Sequence, residues 1–269
     1  MATKVENVRG KSSHGQYFDA NGTWLPGAST ISELLGPVGG LAYWGFQIGK
    51  SGEVDDYWAY MRGLGSAGTC AHAAINAYVL NRPADLSEFT GKEIEIGEAC
   101  LEKYKLWEKQ HTVKILRAEY PLVSEIYKYG GQLDLYAQVD DLYSIIDLKS
   151  SADVRDTHKV QTAGYGGLVK ESGEPVDQLI VLPLGRDPDE PMHKPWQTTD
   201  IEPYWQIFKH LLGVYSIQNT LGPKKQKGRG AQADAAEIEQ NNTLRAAIAA
   251  RETGKVIPFG RATKEPPIA

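Results

Sequence analysis

Between residues 56 and 221 the spacing of apolar positions changes several times, and each change marks an element. Residues 56–80 predict a helix, with Tyr57, Met61, Leu64, Cys70, Ala74, Ile75 and Val79 available for an inner face. Residues 93–110 predict a second, where Ile96, Cys100, Leu101, Tyr104 and Trp107 recur at helical spacing. The period then shortens. Val113, Ile115, Val123 and Ile126 lie in short strand-like runs. Residues 131–139 alternate, with Leu133, Leu135, Ala137 and Val139 on one face and Gln132, Asp134, Tyr136 and Gln138 on the other. Residues 142–149 predict the next strand, 156–171 a helix, 176–183 a buried apolar strand, and 200–220 a helix carrying Trp205, Ile207, Phe208, Leu211, Leu212 and Val214. Upstream, residues 1–28 read as loop and short strand. Thr30 and Glu33 have capping-box spacing ahead of Leu34, which starts a short helix there, and Gly39-Gly40 ends it. The order helix, helix, three strands, helix, strand, helix predicts a mixed α/β (α+β) domain with a central sheet flanked by helices.

After Leu221 the character changes. Residues 222–230 form a basic, Gly-rich linker, 232–252 an Ala-rich helix, and 253–269 a segment with three prolines and no expected stable structure. The predicted division is a domain over 1–221 and a basic, helical tail over 222–269.

Composition narrows the class. Of 269 residues 41% are apolar and 23% charged, enough for an ordinary soluble core, and no apolar run approaches the ~20 residues of a membrane span. Two cysteines give neither a disulfide framework nor a four-thiolate metal site, so a cytosolic compartment is expected. A net charge of −5 argues against indiscriminate coating of nucleic acid but leaves room for a local basic groove.

The chemistry gathers on one hairpin. A tight turn at Asp140-Asp141 places Asp134 directly opposite Asp147, on one face, with side chains ~5 Å apart. Opposed like charges are unfavourable unless a divalent cation bridges them, and Mg²⁺ suits two carboxylates plus waters and phosphate oxygens. Lys149, two residues beyond Asp147, shares that face and can hold a water or offset charge on a phosphate. On its own, such an Asp-x-Lys is common and reads first as a solvated sheet face with the lysine neutralising the acids.

The surrounding motifs change that balance. Gly131-Gln-Leu-Asp134 followed by Ile145-Ile-Asp-Leu-Lys149 resembles the core of the PD-(D/E)XK nuclease superfamily. Gly68-Thr-Cys-Ala-His72 and Gln161-Thr-Ala-Gly-Tyr165 are similar to helix motifs of its RecB-like branch. The segment Trp24 to Leu35 resembles an opening segment of phage exonucleases and of the mitochondrial genome maintenance exonuclease. The resemblance implies a restriction-endonuclease-like fold. It implies Asp134 and Asp147 as metal ligands, with the Leu148 carbonyl as an extra one, and His72 as a further ligand or a neighbour of the metal. Lys149 would handle the nucleophilic water, and Gln161 and Tyr165 would orient it or the DNA. The acidic residue of the preceding strand would be Glu119, with Glu125 as a rival. Asp147 departs from the commoner Glu, which shortens its reach. Two cysteines rather than four speak against an iron–sulfur cluster.

The expected activity is Mg²⁺- or Mn²⁺-dependent DNA exonuclease action in phage or bacterial recombination, repair or replication, with a single-strand-binding or annealing protein as partner. An endonuclease of the same fold, or a catalytically silent nucleic-acid-binding module, stays open at this stage. Lys159, Lys224 and Lys225 are candidate phosphate contacts, although a solvated helix start and linker explain them as well. Trp44, Tyr57 and Trp58 could stack on bases or fill a core.

Overall fold

A computed structural model of the chain describes residues 16–36, 40–52 and 56–221. The linker, the Ala-rich helix, Lys224 and Lys225 lie outside the described residues.

Two short strands, β1 (Tyr17–Phe18) and β2 (Trp24–Leu25), pair antiparallel around a turn. Asp19 closes that turn by accepting the N–H groups of Asn21 and Thr23. The next helix, α1 (Ala28–Ser32), runs into a 3₁₀ turn at Glu33–Leu35. It therefore starts earlier than the Thr30 spacing predicts, and no side chain caps it. The chain is pinned just ahead of it instead: the Pro26 carbonyl accepts the Gly130 N–H at 2.9 Å. Gly40 opens a further helix, α2 (Gly40–Ser51), where the Gly pair had predicted an end.

Long helices follow. α3 (Tyr57–Val79) is capped by Asp56, whose side chain accepts the Ala59 N–H. Its buried face begins at Ala67 and runs through Cys70, Ala71, Ala74 and Ile75, while Tyr57, Met61 and Leu64 stay half-exposed. α4 (Gly91–Glu108) opens on a capping box between Thr90 and Glu93.

The predicted strand runs after it merge into one long strand, β3 (Val113–Ser124), and Ile126 falls in the turn beyond. β4 (Tyr129–Val139) and β5 (Leu142–Lys149) form the expected hairpin, with Val139 opposite Leu142. Asp140 (φ 47°) and Asp141 (φ 69°) both take the left-handed conformation that a tight two-residue turn needs. α5 (Asp156–Glu171) then crosses over to β6 (Gln178–Pro183), which pairs parallel with β5. A short strand without a periodic signal, β7 (Trp196–Thr198), pairs antiparallel with β6, and α6 (Glu202–Leu221) closes the described chain.

The result is a five-stranded mixed sheet, β3-β4-β5-β6-β7, between two helical layers. On one side α3 and α4 bury Ile75, Cys100, Tyr104 and Trp107 against Leu135, Ala137, Ile146 and Ile180. On the other, α1, α5 and α6 bury Ile31, Val160, Ala163 and Phe208 against Tyr129, Tyr136, Ile145 and Leu179. Each fully buried Leu, Ile or Phe contributes about 1.5–3 kcal/mol of transfer free energy. Leu133 departs from the expected alternation, because it packs in the α5 layer while Leu135, Ala137 and Val139 pack in the α3 layer. The switch falls at Asp134, beside Glu119, whose φ of 48° interrupts the regular pairing between Ala118↔Leu135 and Tyr120↔Leu133. Among the described residues no helix is long and apolar enough to cross a membrane.

Candidate metal centre

The hairpin register runs to Leu135↔Ile146 and ends one step short of Asp134 and Asp147. From there the two carboxylates turn to different partners. Asp134 looks toward α3: its Oδ1 lies 3.1 Å from His72 Nδ1. Its Oδ2 accepts the Leu148 N–H at 2.7 Å. Asp147, 1% exposed, faces Lys149, with Nζ 3.0 Å from Oδ1 and 2.8 Å from Oδ2. Only the Oδ1 contact has hydrogen-bond alignment, and Oδ2 is held by charge alone.

Glu119 completes the Asp134 side. Its Oε1 lies 4.0 Å from His72 Nδ1, and its Oε2 accepts a short hydrogen bond from Gln132 Nε2. Its left-handed backbone swings the side chain toward Asp134, the re-aiming that irregular strand positions beside functional sites provide. Glu125, the rival, accepts instead from the Ala20 N–H and from Lys128. His72, Glu119 and Asp134 each offer one ligand atom, all within 4.8 Å of one another. Asp147 is outside that group. The carbonyl of Lys149 accepts from the Leu184 N–H on the β6 side. Successive carbonyls of a strand point to opposite sides, so that of Leu148 faces β4 and Asp134.

Close backbone approach makes this geometry reachable. A Cβ on Gly68 would stand 3.2 Å from Ser150 Oγ, so a larger residue would crowd the end of β5 against α3, one helical turn before His72. On the opposite layer, a Cβ on Gly131 would stand 2.7 Å from Tyr165 Cε1. Tyr165 can therefore lie flat on β4, where its hydroxyl accepts from Gln161 Nε2 at 2.7 Å, and Gln161 Oε1 faces Lys149 Nζ at 3.4 Å. The chain Tyr165–Gln161–Lys149–Asp147 thus runs as one connected line.

Burial and neighbours set the charges. Burial opposes ionisation of Asp134, but His72, Lys149 and the Leu148 N–H together hold its carboxyl below the usual range. Burial raises Asp147 to about 6, against the pull of Lys149 and with help from the charge on Asp134. Lys149 is raised: burial disfavours the ammonium, yet Asp147 and Asp134 outweigh it. Burial likewise works against the charged form of His72, and Asp134 and Glu119 overcome it to raise the imidazole to about 9. Glu119 is raised by burial and by Asp134.

Other expected residues lie elsewhere. Lys159 pairs with Asp156 at 2.8 Å and sits over the Trp196 ring. Trp44 on α2 packs edge to face on Tyr57 at 6.2 Å, and Trp58 beside it at the start of α3 is 69% exposed, so none of the three belongs to the ligand group. Two neighbours went unnoticed in the sequence. Along the sequence Gln132 reads only as a polar position of an alternating strand. Tyr17, pushed up to about 12 by burial and held by the Gln132 backbone, gave no signal except the side-chain-free Gly130 against which its ring lies.

No known family model matches the chain, and no curated protein matches it either. A solved structure described as "Crystal structure of SSO0001" aligns over 58% of this chain and 85% of that one, at 14% identity and a TM-score of 0.29, a likeness too slight to carry an argument about fold or function.

Proposed function

We propose that the chain is a metal-dependent DNA phosphodiesterase with a PD-(D/E)XK-type core, acting as an exonuclease. One observation carries this reading: a His72–Glu119–Asp134 ligand group adjoins a Lys149 ammonium set on Asp147, across a single hairpin. The motif resemblance supplies the class of substrate.

The residues fit a divalent cation. Two carboxylates and one imidazole converge; Glu119 is raised by burial first and then by the charge on Asp134, and a cation would relieve that repulsion. An imidazole in the set favours Mn²⁺ over Mg²⁺ relative to an all-oxygen site. When bound, the ion would polarise a phosphoryl oxygen and acidify a water. His72, Glu119 and Asp134 would hold it, with the Leu148 carbonyl at its edge.

Lys149 acts as a cation in this scheme rather than as a base, because two carboxylates keep it protonated. Its ammonium can donate to a water or to a non-bridging phosphate oxygen in line with the metal side. Asp147 fixes the lysine, and Gln161, itself held by Tyr165, limits its swing.

End-labelled linear DNA and closed circular DNA, incubated with Mn²⁺, Mg²⁺ or chelator, test the proposal. Wild-type protein is expected to shorten linear DNA from its ends, to leave closed circles intact and to be silent with chelator. Lys149→Ala is expected to lose at least about two orders of magnitude in rate, the scale of removing one preorganised donor. Undiminished cleavage by that variant removes the lysine from the chemistry. Nicking of circles moves the reading to an endonuclease.

A further inference from the structure

The helical period of α3 carries a line of side chains from its open end to the ligand group. Residues 58, 62, 65, 69 and 72 recur at alternating spacings of four and three, so they form one stripe along the helix. Trp58, Arg62, Gly65 and Thr69 are all exposed, and the stripe ends on His72, whose side chain is still 29% exposed. At 1.5 Å per residue it is about 21 Å long. That is room for about six nucleotides at the 3.4 Å spacing of one stacked strand. The middle of the stripe is flat. A Cβ on Gly65 would meet nothing within 4 Å, and the Thr69 hydroxyl folds back to donate to the Gly65 carbonyl at 3.2 Å.

The outer end of the stripe is built from rings. Trp44 on α2 stacks on Tyr60 with centroids 6.1 Å apart, and meets Tyr57 edge on at 6.2 Å. Tyr57 in turn meets Trp58 edge on at 5.3 Å. The inner rings pack on one another and steady the indole, while Trp58 itself is 69% exposed. Charge points to the same kind of partner. Neither α2 nor α3 contains an acidic residue, in a chain with 34 of them; α2 carries Lys50, and α3 carries Arg62 and His72. Asp56, just outside α3, is engaged as its cap. Its other oxygen lies 3.9 Å from Arg62, a long contact between two exposed side chains that water screens and that leaves the guanidinium available. On α2 the pairing of ring and cation recurs: exposed Tyr43, Phe46 and Lys50 share one face at i, i+3 and i+7. The exposed apolar side chains of α6 are aliphatic instead, Ile207, Val214, Ile217 and Leu221. Rings flanked by cations suit unstacked bases on a phosphate backbone.

We infer that the outer stripe of α3 is a track for a single strand of nucleic acid, on which Trp58 stacks with a base, Arg62 holds a phosphate and the strand is led toward His72. It rests on the phosphodiesterase reading and adds a preference for single-stranded substrate, because bases inside a duplex have no free face to offer the indole.

Binding of the full chain to fluorescent oligothymidylate, in chelator so that nothing is cut, tests this. An abasic strand of the same length and a blunt duplex are the comparisons. Wild-type protein is expected to bind the thymidylate more tightly than the abasic strand. Trp58→Leu keeps an apolar side chain without a ring, and is expected to weaken thymidylate binding by about tenfold while leaving the abasic strand and the duplex unaffected. Trp58→Phe is expected to recover most of the affinity. Arg62→Gln is expected to reduce the slope of log K against log salt by about 0.7, the signature of one lost single-strand phosphate contact. Gly65→Glu, placed where there is open space, is expected to weaken binding several-fold by setting a negative charge in the track. Equal affinity for thymidylate and abasic strands overturns the inference. So does wild-type binding by both Trp58→Leu and Gly65→Glu, with folding verified by circular dichroism. If Trp58→Leu dissolves a dimer in sedimentation and leaves DNA affinity unchanged, the face joins copies of the chain and the track is likewise refuted. The nuclease reading fails separately: if wild-type protein binds single strands through Trp58 yet cuts no DNA with any metal, the track stands and the catalytic proposal falls.

Discussion

His158, on α5, is kept from charging by burial and by the cations around it. Burial, then Lys149, then Arg155 push its imidazole down to about 3, and its Nδ1 accepts the Arg155 N–H. The folded value lies below the unfolded one. Above about pH 6.5 both states are neutral at this site, and no stability depends on it. As pH falls from there toward 3, the unfolded chain binds a proton that the folded chain refuses, so stability is lost across that window. Urea denaturation at several pH values is expected to show a shallower acid decline for His158→Gln than for wild type. An imidazole proton signal moving with a midpoint near 6.5 in the folded protein would refute it. Glu119 offers a different residue-scale test. Its left-handed backbone disfavours any residue with a Cβ by about 1–2 kcal/mol. Glu119→Gly relieves that strain and loses the hydrogen bond from Gln132. The metal-free variant should match wild-type stability or exceed it by up to about 1 kcal/mol, while losing metal affinity. A marked loss of stability would show that Glu119 is a structural residue.

At the level of elements, the site depends on how closely α5 lies on β4. The proposed line from Tyr165 to Lys149 requires the tyrosine ring to occupy the space over Gly131. Gly131→Ala would put a Cβ 2.7 Å from Tyr165 Cε1 and 3.1 Å from Leu168 Cδ1, and overpacking of this kind costs about 1–3 kcal/mol. Gly213→Ala on α6 is the matched control. Nothing lies within 4 Å of the added carbon there, and alanine is the better helix former by about 1 kcal/mol. Chemical denaturation should order the variants Gly213→Ala, wild type, Gly131→Ala from most to least stable. A neutral Gly131→Ala would mean that Tyr165 moves freely and does not restrain Gln161.

For the whole molecule, the ligand group ties together elements distant in sequence: His72 from α3, Glu119 from β3 and Asp134 from β4. A cation bound there should stabilise the entire fold, by about 2.7 kcal/mol at one hundred times its dissociation constant. Because Asp134 and Glu119 raise His72 to about 9, the metal-free imidazole holds a proton at neutral pH. Its stabilising ion pair is complete below about 6.5 and is lost as pH rises through 9. Metal must displace that proton. Calorimetry in buffers of different ionisation enthalpy should show proton release near pH 7 and tighter binding toward pH 9, with His72→Gln lacking the His-linked part. Binding without proton release would place the ion elsewhere.

What the sequence determined by itself is local. The bounds of β5 and α5 and the turn at Asp140-Asp141 follow from period and turn chemistry, which act over a few residues. The mixed sheet between helices follows from the order of those elements. Tertiary structure decided the rest. β7 exists only through its pairing with β6, and α2 opens at a Gly pair that reads as a stop, although Leu41, Trp44 and Ile48 recur at helical spacing. The turning of Asp134 toward His72 while Asp147 takes Lys149 depends on an irregular backbone at Glu119 and on α3 approaching over Gly68. Lys103 on α4 reaches the Gly185 and Asp187 carbonyls, 82 and 84 positions further along the chain. A pattern along the chain assigns faces and periods. The choice of which charged group meets which is made by packing between distant segments, where burial and Coulomb energy are settled together.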